Sequence, residues 1–212
     1  DNQVFYDKVE SEFCHLLAGY GTAEEISSRL FAIEMENMDI YKYGAKPFTL
    51  SMVEAAVKIS RNRVPAEVIG RIVEMGKELL EMPIRLLGGV TEALETLKDA
   101  YKLVVATKGD LLDQERKLQR SGISHYFDHT EIMTDKAPQD YQRLISSLDV
   151  APQSFLMVGN SLKSDVLPVL SLGGHAIHVP AEAMWKHEVI SGTEREYLMI
   201  HSLAELPAVL RG

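Results

Sequence analysis

The spacing of apolar residues changes character at Pro83, and that change limits what this chain can become. Before it, apolar side chains recur at intervals of three and four: Phe5, Val9, Phe13, Leu16 and Leu17; Ile26, Leu30, Ile33 and Ile40; Val53, Ala56 and Val57; Val68, Ile72, Met75 and Leu79. Each set falls on one face of a helix, so four amphipathic helices are predicted with no strand between them. Gly19 or Gly21 stops the first, and Thr22 with Glu25 forms a capping box for the second. Ser51 with Glu54 offers the same box to a third helix following Pro47; Pro65 opens the fourth, which Met82 and Pro83 end. Successive helices that each bury one face make a bundle, so residues 1–83 read as one domain and residues 84–212 as another.

Beyond Pro83, strands alternate with helices. Val90, Leu94 and Leu97 mark a helix, and residues 103–106 a β-branched-rich strand. A helix over residues 111–120 follows, then a short strand near 130–133 and a helix carrying Tyr141, Leu144, Ile145 and Leu148. Next come a strand from Phe155, a helix over 165–172, strands over 176–179 and 197–200, and a helix capped by Ser202 with Glu205. Such alternation predicts an α/β fold with a parallel sheet covered on both faces, whose ligands bind beyond the carboxyl ends of the strands.

Three places near such ends carry chemistry. Phe155, Leu156, Met157 and Val158 run into Gly159, Asn160 and Ser161, with Asp165 four residues on. The amide oxygen of Asn160 and the carboxylate of Asp165 are hard donors suited to Mg2+; a helix cap by Ser164 or Asp165 uses the same residues. Thr107 follows Val104, Val105 and Ala106 and precedes Lys108 and Gly109, so a hydroxyl and backbone N–H groups can hold a phosphate oxygen there, or simply cap a turn. Lys136 precedes Ala137 and Pro138 at a helix start. An ammonium there opposes the helix dipole unless an anion is shared between them, although a solvated surface lysine also fits the position.

Charge and composition exclude several classes. A formal net charge of −9 with no run of Lys and Arg argues against general nucleic-acid binding, whereas a small anion needs only two or three local cations. Cys14 is the single cysteine, lies between Phe13 and Leu17, and reads as a small hydrophobe. No apolar segment reaches the ~18 to 20 residues needed to span a bilayer, and Asp1, Asp7 and Glu10 do not suit a signal peptide, so a cytoplasmic protein is expected. Lys163 stands where a serine nucleophile elbow needs its second glycine. His175 and His178, three apart in a strand, point to opposite faces and cannot easily share zinc. Gly173 and Gly174 lack a dinucleotide fingerprint, and Trp185, beside Met184, Lys186 and His187, reads as a loop pin.

Taken together, Thr107, Lys136 and the run Gly159, Asn160, Ser161 and Asp165 resemble the haloacid dehalogenase superfamily, mostly Mg2+-dependent phosphohydrolases with a Rossmann-like core. The resemblance covers essentially the whole chain, with residues 1–83 as the family's helical cap. It implies that Thr107 binds the phosphoryl group, with Lys108 and Gly109 beside it. Lys136 would neutralise the aspartyl nucleophile, and Asp165 with Asn160 would hold Mg2+. Asn160 stands where the family usually has aspartate, which removes one negative charge. The family's first motif, a strand ending in two aspartates one residue apart, is not found: Asp1 has no strand before it, and Gln3 stands two positions on. The nucleophile and the general acid/base are therefore expected upstream of Asp1, the alternative being a phosphate-binding relative without turnover. On this reading the substrate is a small phosphorylated metabolite, and the protein a monomer or homodimer. Cleavage of a carbon–halogen bond is a second enzymatic reading. Tyr43 and Lys46, in a loop dense in aromatics and cations, are candidates for gripping the leaving group, or form an interhelix turn packing its own rings.

Overall fold

Thr22 and Glu25 satisfy each other's backbone: the Thr22 hydroxyl accepts the Glu25 N–H at 3.3 Å, and the Glu25 carboxylate accepts the Thr22 N–H at 2.9 Å. Two donors that a helix start leaves orphaned are thereby paired. The second helix of the chain begins there. The computed structural model describes residues 3–180 and 197–211; Asp1, Trp185 and the residues flanking it lie outside them. The chain divides into two compact units, Asn2–Pro83 and Ile84–Gly212.

The first unit contains α1 (Gln3–Leu16), α2 (Ala23–Tyr41), α3 (Ala45–Ile59) and α4 (Ala66–Glu81). Phe13, Leu17, Ile26, Leu30, Met52, Ile72, Met75 and Leu79 meet in its core. Cys14 is buried among them, and burial pushes its thiol pKa up, as expected of a packing residue rather than a nucleophile. Two expectations for this unit fail. Gly44 precedes α3, so Pro47 lies in the first turn, where its missing N–H costs nothing, and Ser51 and Glu54 fall mid-helix. There they do not cap: Asn37 of α2 donates to both, at 3.3 and 2.7 Å. The inner stripe of α2 also ends at Ile33, and Ile40 is 73% exposed.

The second unit runs α5 (Val90–Leu97), β1 (Val104–Lys108), α6 (Leu111–Arg120), β2 (His129–Met133), α7 (Pro138–Ser147), β3 (Leu156–Gly159), α8 (Leu167–Ser171), β4 (His175–His178), β5 (Leu198–Met199) and α9 (Leu206–Val209). Every pairing is parallel, as the alternation predicts. The described strands form two sheets rather than one, β1–β2 and β3–β4–β5. Among them β1 and β3 each have a hydrogen-bonded neighbour on one side only, and every residue of β1 is merely half-buried. Full burial of a strand edge would strand its peptide groups without partners. A shared core still joins the sheets, with Val104 and Ala106 of β1 packing against Tyr141, Leu144, Phe155 and Met157. No described helix is long and apolar enough to cross a membrane.

Between β3 and α8, where the sequence predicts the start of an ordinary helix, Leu162–Val166 form a π-helical turn. The Ser161 carbonyl accepts from both the Asp165 and the Val166 N–H, at 2.8 and 3.2 Å. One extra residue is thus accommodated in the turn, a distortion common at functional sites.

Candidate active site

The π turn collects side chains from three strand ends. Asp165 is 4% exposed, and both its oxygens are engaged: Oδ1 accepts Lys136 Nζ at 2.6 Å, and Oδ2 accepts the Ser161 N–H at 2.9 Å. A charge removed from water at such depth needs both kinds of partner. Gly159 makes room for it, because a Cβ there would stand 2.3 Å from Asp165 Oδ2.

Next to Asp165, Ser164 is held from three directions. Its hydroxyl accepts Lys108 Nζ at 2.9 Å, its carbonyl accepts the Tyr141 hydroxyl at 2.9 Å, and its N–H donates to Ser161 Oγ at 3.0 Å. Lysines from the β1–β2 sheet, Lys108 at the end of β1 and Lys136 just past β2, therefore both reach the turn that follows β3. Two ammonium groups thus converge on the turn that holds the Asp165 carboxylate. In a chain of net charge −9, two cations gathered at one turn are the kind of local feature that a small anion needs.

The remaining candidates are placed differently. Thr107 lies inside β1 rather than after it, and its hydroxyl donates to Gln114 Oε1 of α6 at 3.1 Å. Gly109 takes φ +134°, a region that favours glycine, and its N–H donates to the Met133 carbonyl at 3.2 Å. That donor thus closes the end of the β1–β2 pair. Asn160 is exposed at the end of β3. Tyr43, half-buried, and Lys46, exposed, belong to the helical unit, at the opening of α3.

The described residues do not by themselves fit Mg2+, which takes six oxygens and one or two carboxylates among them. Asn160 brings one neutral oxygen, the Asp165 carboxylate is already bonded at both oxygens, and no cluster of three His, Cys, Asp or Glu suited to a metal occurs among the described residues.

Sequence reasoning overlooked the link from Lys108 to Ser164 and the support that Tyr141 gives the turn. A serine pair three apart after a strand is a capping signature, and Ser161 does cap this turn. Tyr141 gave no local sign, since its hydroxyl bonds a carbonyl 23 residues away.

Residues 18–173 match the haloacid dehalogenase-like hydrolase family. The chain belongs to the haloacid dehalogenase-like hydrolases. The resemblance carried by Thr107, Lys136 and Asp165 is borne out for family and fold. Among solved structures, a haloacid dehalogenase-like family hydrolase from Xanthomonas campestris superposes with a TM-score of 0.86 at 37% identity, over 100% of this chain and 85% of that one. Among curated relatives, N-acylneuraminate-9-phosphatase of Mus musculus is 26% identical over 135 residues, 59% of this chain and 52% of that protein. Glyceraldehyde 3-phosphate phosphatase of Methanothermobacter thermautotrophicus is 29% identical over 106 residues, 47% of this chain and 46% of that protein. The chain thus spans about half the length of the curated relatives it matches.

Proposed function

We propose that this hydrolase releases inorganic phosphate from a small phosphorylated metabolite. The observation that carries the reading is the convergence of Lys108 and Lys136 on the turn that holds Asp165, at the carboxyl edge of parallel strands. Two curated relatives named as phosphatases support it.

On this reading the aspartate nucleophile that the family resemblance implies attacks phosphorus. The ester oxygen leaves with a proton from the second aspartate, and water then opens the aspartyl phosphate to free carboxylate and phosphate. The residues in hand supply position and charge. Thr107 exchanges its Gln114 partner for a phosphoryl oxygen. Lys136, held in place by Asp165, offsets the negative charge that grows on the transferring group, and Lys108 steadies both the turn and the anion. The helical unit, read as the family's cap, selects the leaving group through Tyr43 and Lys46.

The test is phosphate release from a generic aryl phosphate by the full-length protein, with Mg2+, which the family's phosphatases generally use, and with EDTA. Lys136→Ala is expected to lower turnover by at least ~100-fold, the scale of a lost preorganised charge contact. Lys46→Ala is expected to change the ranking of phosphorylated substrates without abolishing turnover. Halide release from a 2-haloacid with no phosphate release would overturn the phosphatase reading in favour of the dehalogenase one.

A further inference from the structure

The peptide unit between Asn160 and Ser161 is gripped at both polar ends by buried side chains. Its N–H donates to Asp165 Oδ2 at 2.9 Å, and its C=O lies 3.0 Å from His178 Nε2. His178 is 6% exposed, is the last residue of β4, and pairs in register with Gly159. It therefore reaches the turn from a strand that carries none of the candidate site residues placed above.

A carbonyl oxygen only accepts, so Nε2 must hold the ring proton. Tyr197 stands edge-on to the ring, with centroids 5.7 Å apart and planes at 80°. Nδ1 is buried with no hydrogen-bond partner among the described residues. Leaving a buried acceptor unpaired costs stability, and an apolar side chain of similar size would avoid that cost. The bond from Nε2 to the Asn160 carbonyl is what a histidine gains at this position.

We propose that His178 is a positioning residue. By holding the Asn160 carbonyl it fixes the plane of the 160–161 peptide, and with it the Ser161 N–H that aims Asp165 at Lys136. The chain of contacts runs from Lys136 through Asp165 and the peptide to His178, and so ties the ends of β2, β3 and β4 together. The importance for turnover rests on the phosphatase reading, whereas the geometry does not.

Nitrogen NMR of the wild-type full-length protein tests the geometry first: the His178 ring is expected with Nε2 protonated, and a ring protonated at Nδ1 alone overturns the proposal. His178→Phe removes the donor and keeps a ring, while His178→Gln returns an N–H near the Nε2 position. Amide exchange at Ser161 should quicken ~10-fold or more in His178→Phe and return toward wild type in His178→Gln. Aryl-phosphate turnover should follow, with kcat down ~10-fold or more, KM nearly unchanged, and recovery in the glutamine variant. Wild-type exchange at Ser161 in His178→Phe overturns the proposal. Should His178→Phe not fold, His178→Gln decides, since lost protection of Ser161 in that variant overturns it and retained protection supports it. A wild-type protein that releases no phosphate removes the phosphatase reading instead, and the ring tautomer and Ser161 exchange still judge His178.

Discussion

The two units bury polar groups in different ways. In the helical unit the described buried polar residues are Ser51 and Ser60; in the α/β unit they are Asp113, Asp140, Ser161, Ser164, Asp165 and His178. Asp113 and Asp140 serve helix starts: Asp113 pairs with Lys117 at 2.8 Å, and Asp140 accepts the Ala137 N–H at 2.9 Å. The other four surround one turn. Burying polar groups costs stability unless every one is paired, and the helical unit largely avoids it. The α/β unit accepts most of that cost at one turn where strand ends meet, and on the phosphatase reading charge is held there in a fixed direction to act on an anion.

The sharpest way to break this contrast is to delete a polar group from each interior. Asp165→Ala leaves Lys136, whose side chain is 10% exposed, without its carboxylate, and is expected to destabilise by about 3–5 kcal/mol. Turnover should fall by ~100-fold or more. Asn37→Ala in the helical unit removes the donor to Ser51 and Glu54, should cost about 1 kcal/mol, and should leave turnover of aryl phosphate near wild type. Urea denaturation and phosphate release measured on both variants decide the matter. Equal losses of stability, or undiminished turnover in Asp165→Ala, would remove the distinction between the two interiors.

A matched pair of glycines sharpens it further. A Cβ on Gly159 would meet Asp165 Oδ2 at 2.3 Å, and one on Gly76 of α4 would meet Thr49 Oγ1 of α3 at 2.1 Å. Either alanine substitution overpacks a tight contact, so both are expected to lose about 1–3 kcal/mol. Only Gly159→Ala pushes on the carboxylate that holds Lys136, so at temperatures where both variants are folded only it should slow turnover. The comparison separates the chemistry of the turn from its packing, which a single variant would not do.

How far the sequence disclosed all this depends on how local each interaction is. The helix Leu111–Arg120 and the Thr22 box were legible because apolar period and cap lie within a few residues of one another. The end of β1 was not: Thr107 and Lys108 continue the strand because they pair with Ile132 and Met133, and pairing is set by a distant segment. The same holds for the division into two sheets. At the site, Thr107, Lys136 and Asp165 could be singled out by residue type and order, but what each one touches could not. Lys136 meets Asp165 across 29 residues, and Lys108 meets Ser164 across 56. The opposite facing of His175, exposed, and His178, buried, followed from strand geometry, yet no pattern pointed to the Asn160 carbonyl.

Ser51 and Glu54 show how a local rule misleads, and they support the smallest of the expected effects. The spacing of a capping box recurs inside helices, and here an earlier start at Gly44 turned both residues toward α2. The Glu54 carboxyl group is held below its ordinary value of 4.5, first by the hydrogen bond from Asn37 and then by Lys58. A carboxylate whose folded value is depressed adds stability above its unfolded value, and that contribution is lost as pH falls through the folded value. Glu54→Gln should therefore lower the urea midpoint at neutral pH, by less than any substitution above because the pair is partly exposed and screened by salt. The gap to wild type should close on acidification below 4.5, where the native carboxylate protonates as well. A gap that stays constant with pH would assign the loss to packing, and would mean that even this polar bridge in the helical unit owes nothing to charge.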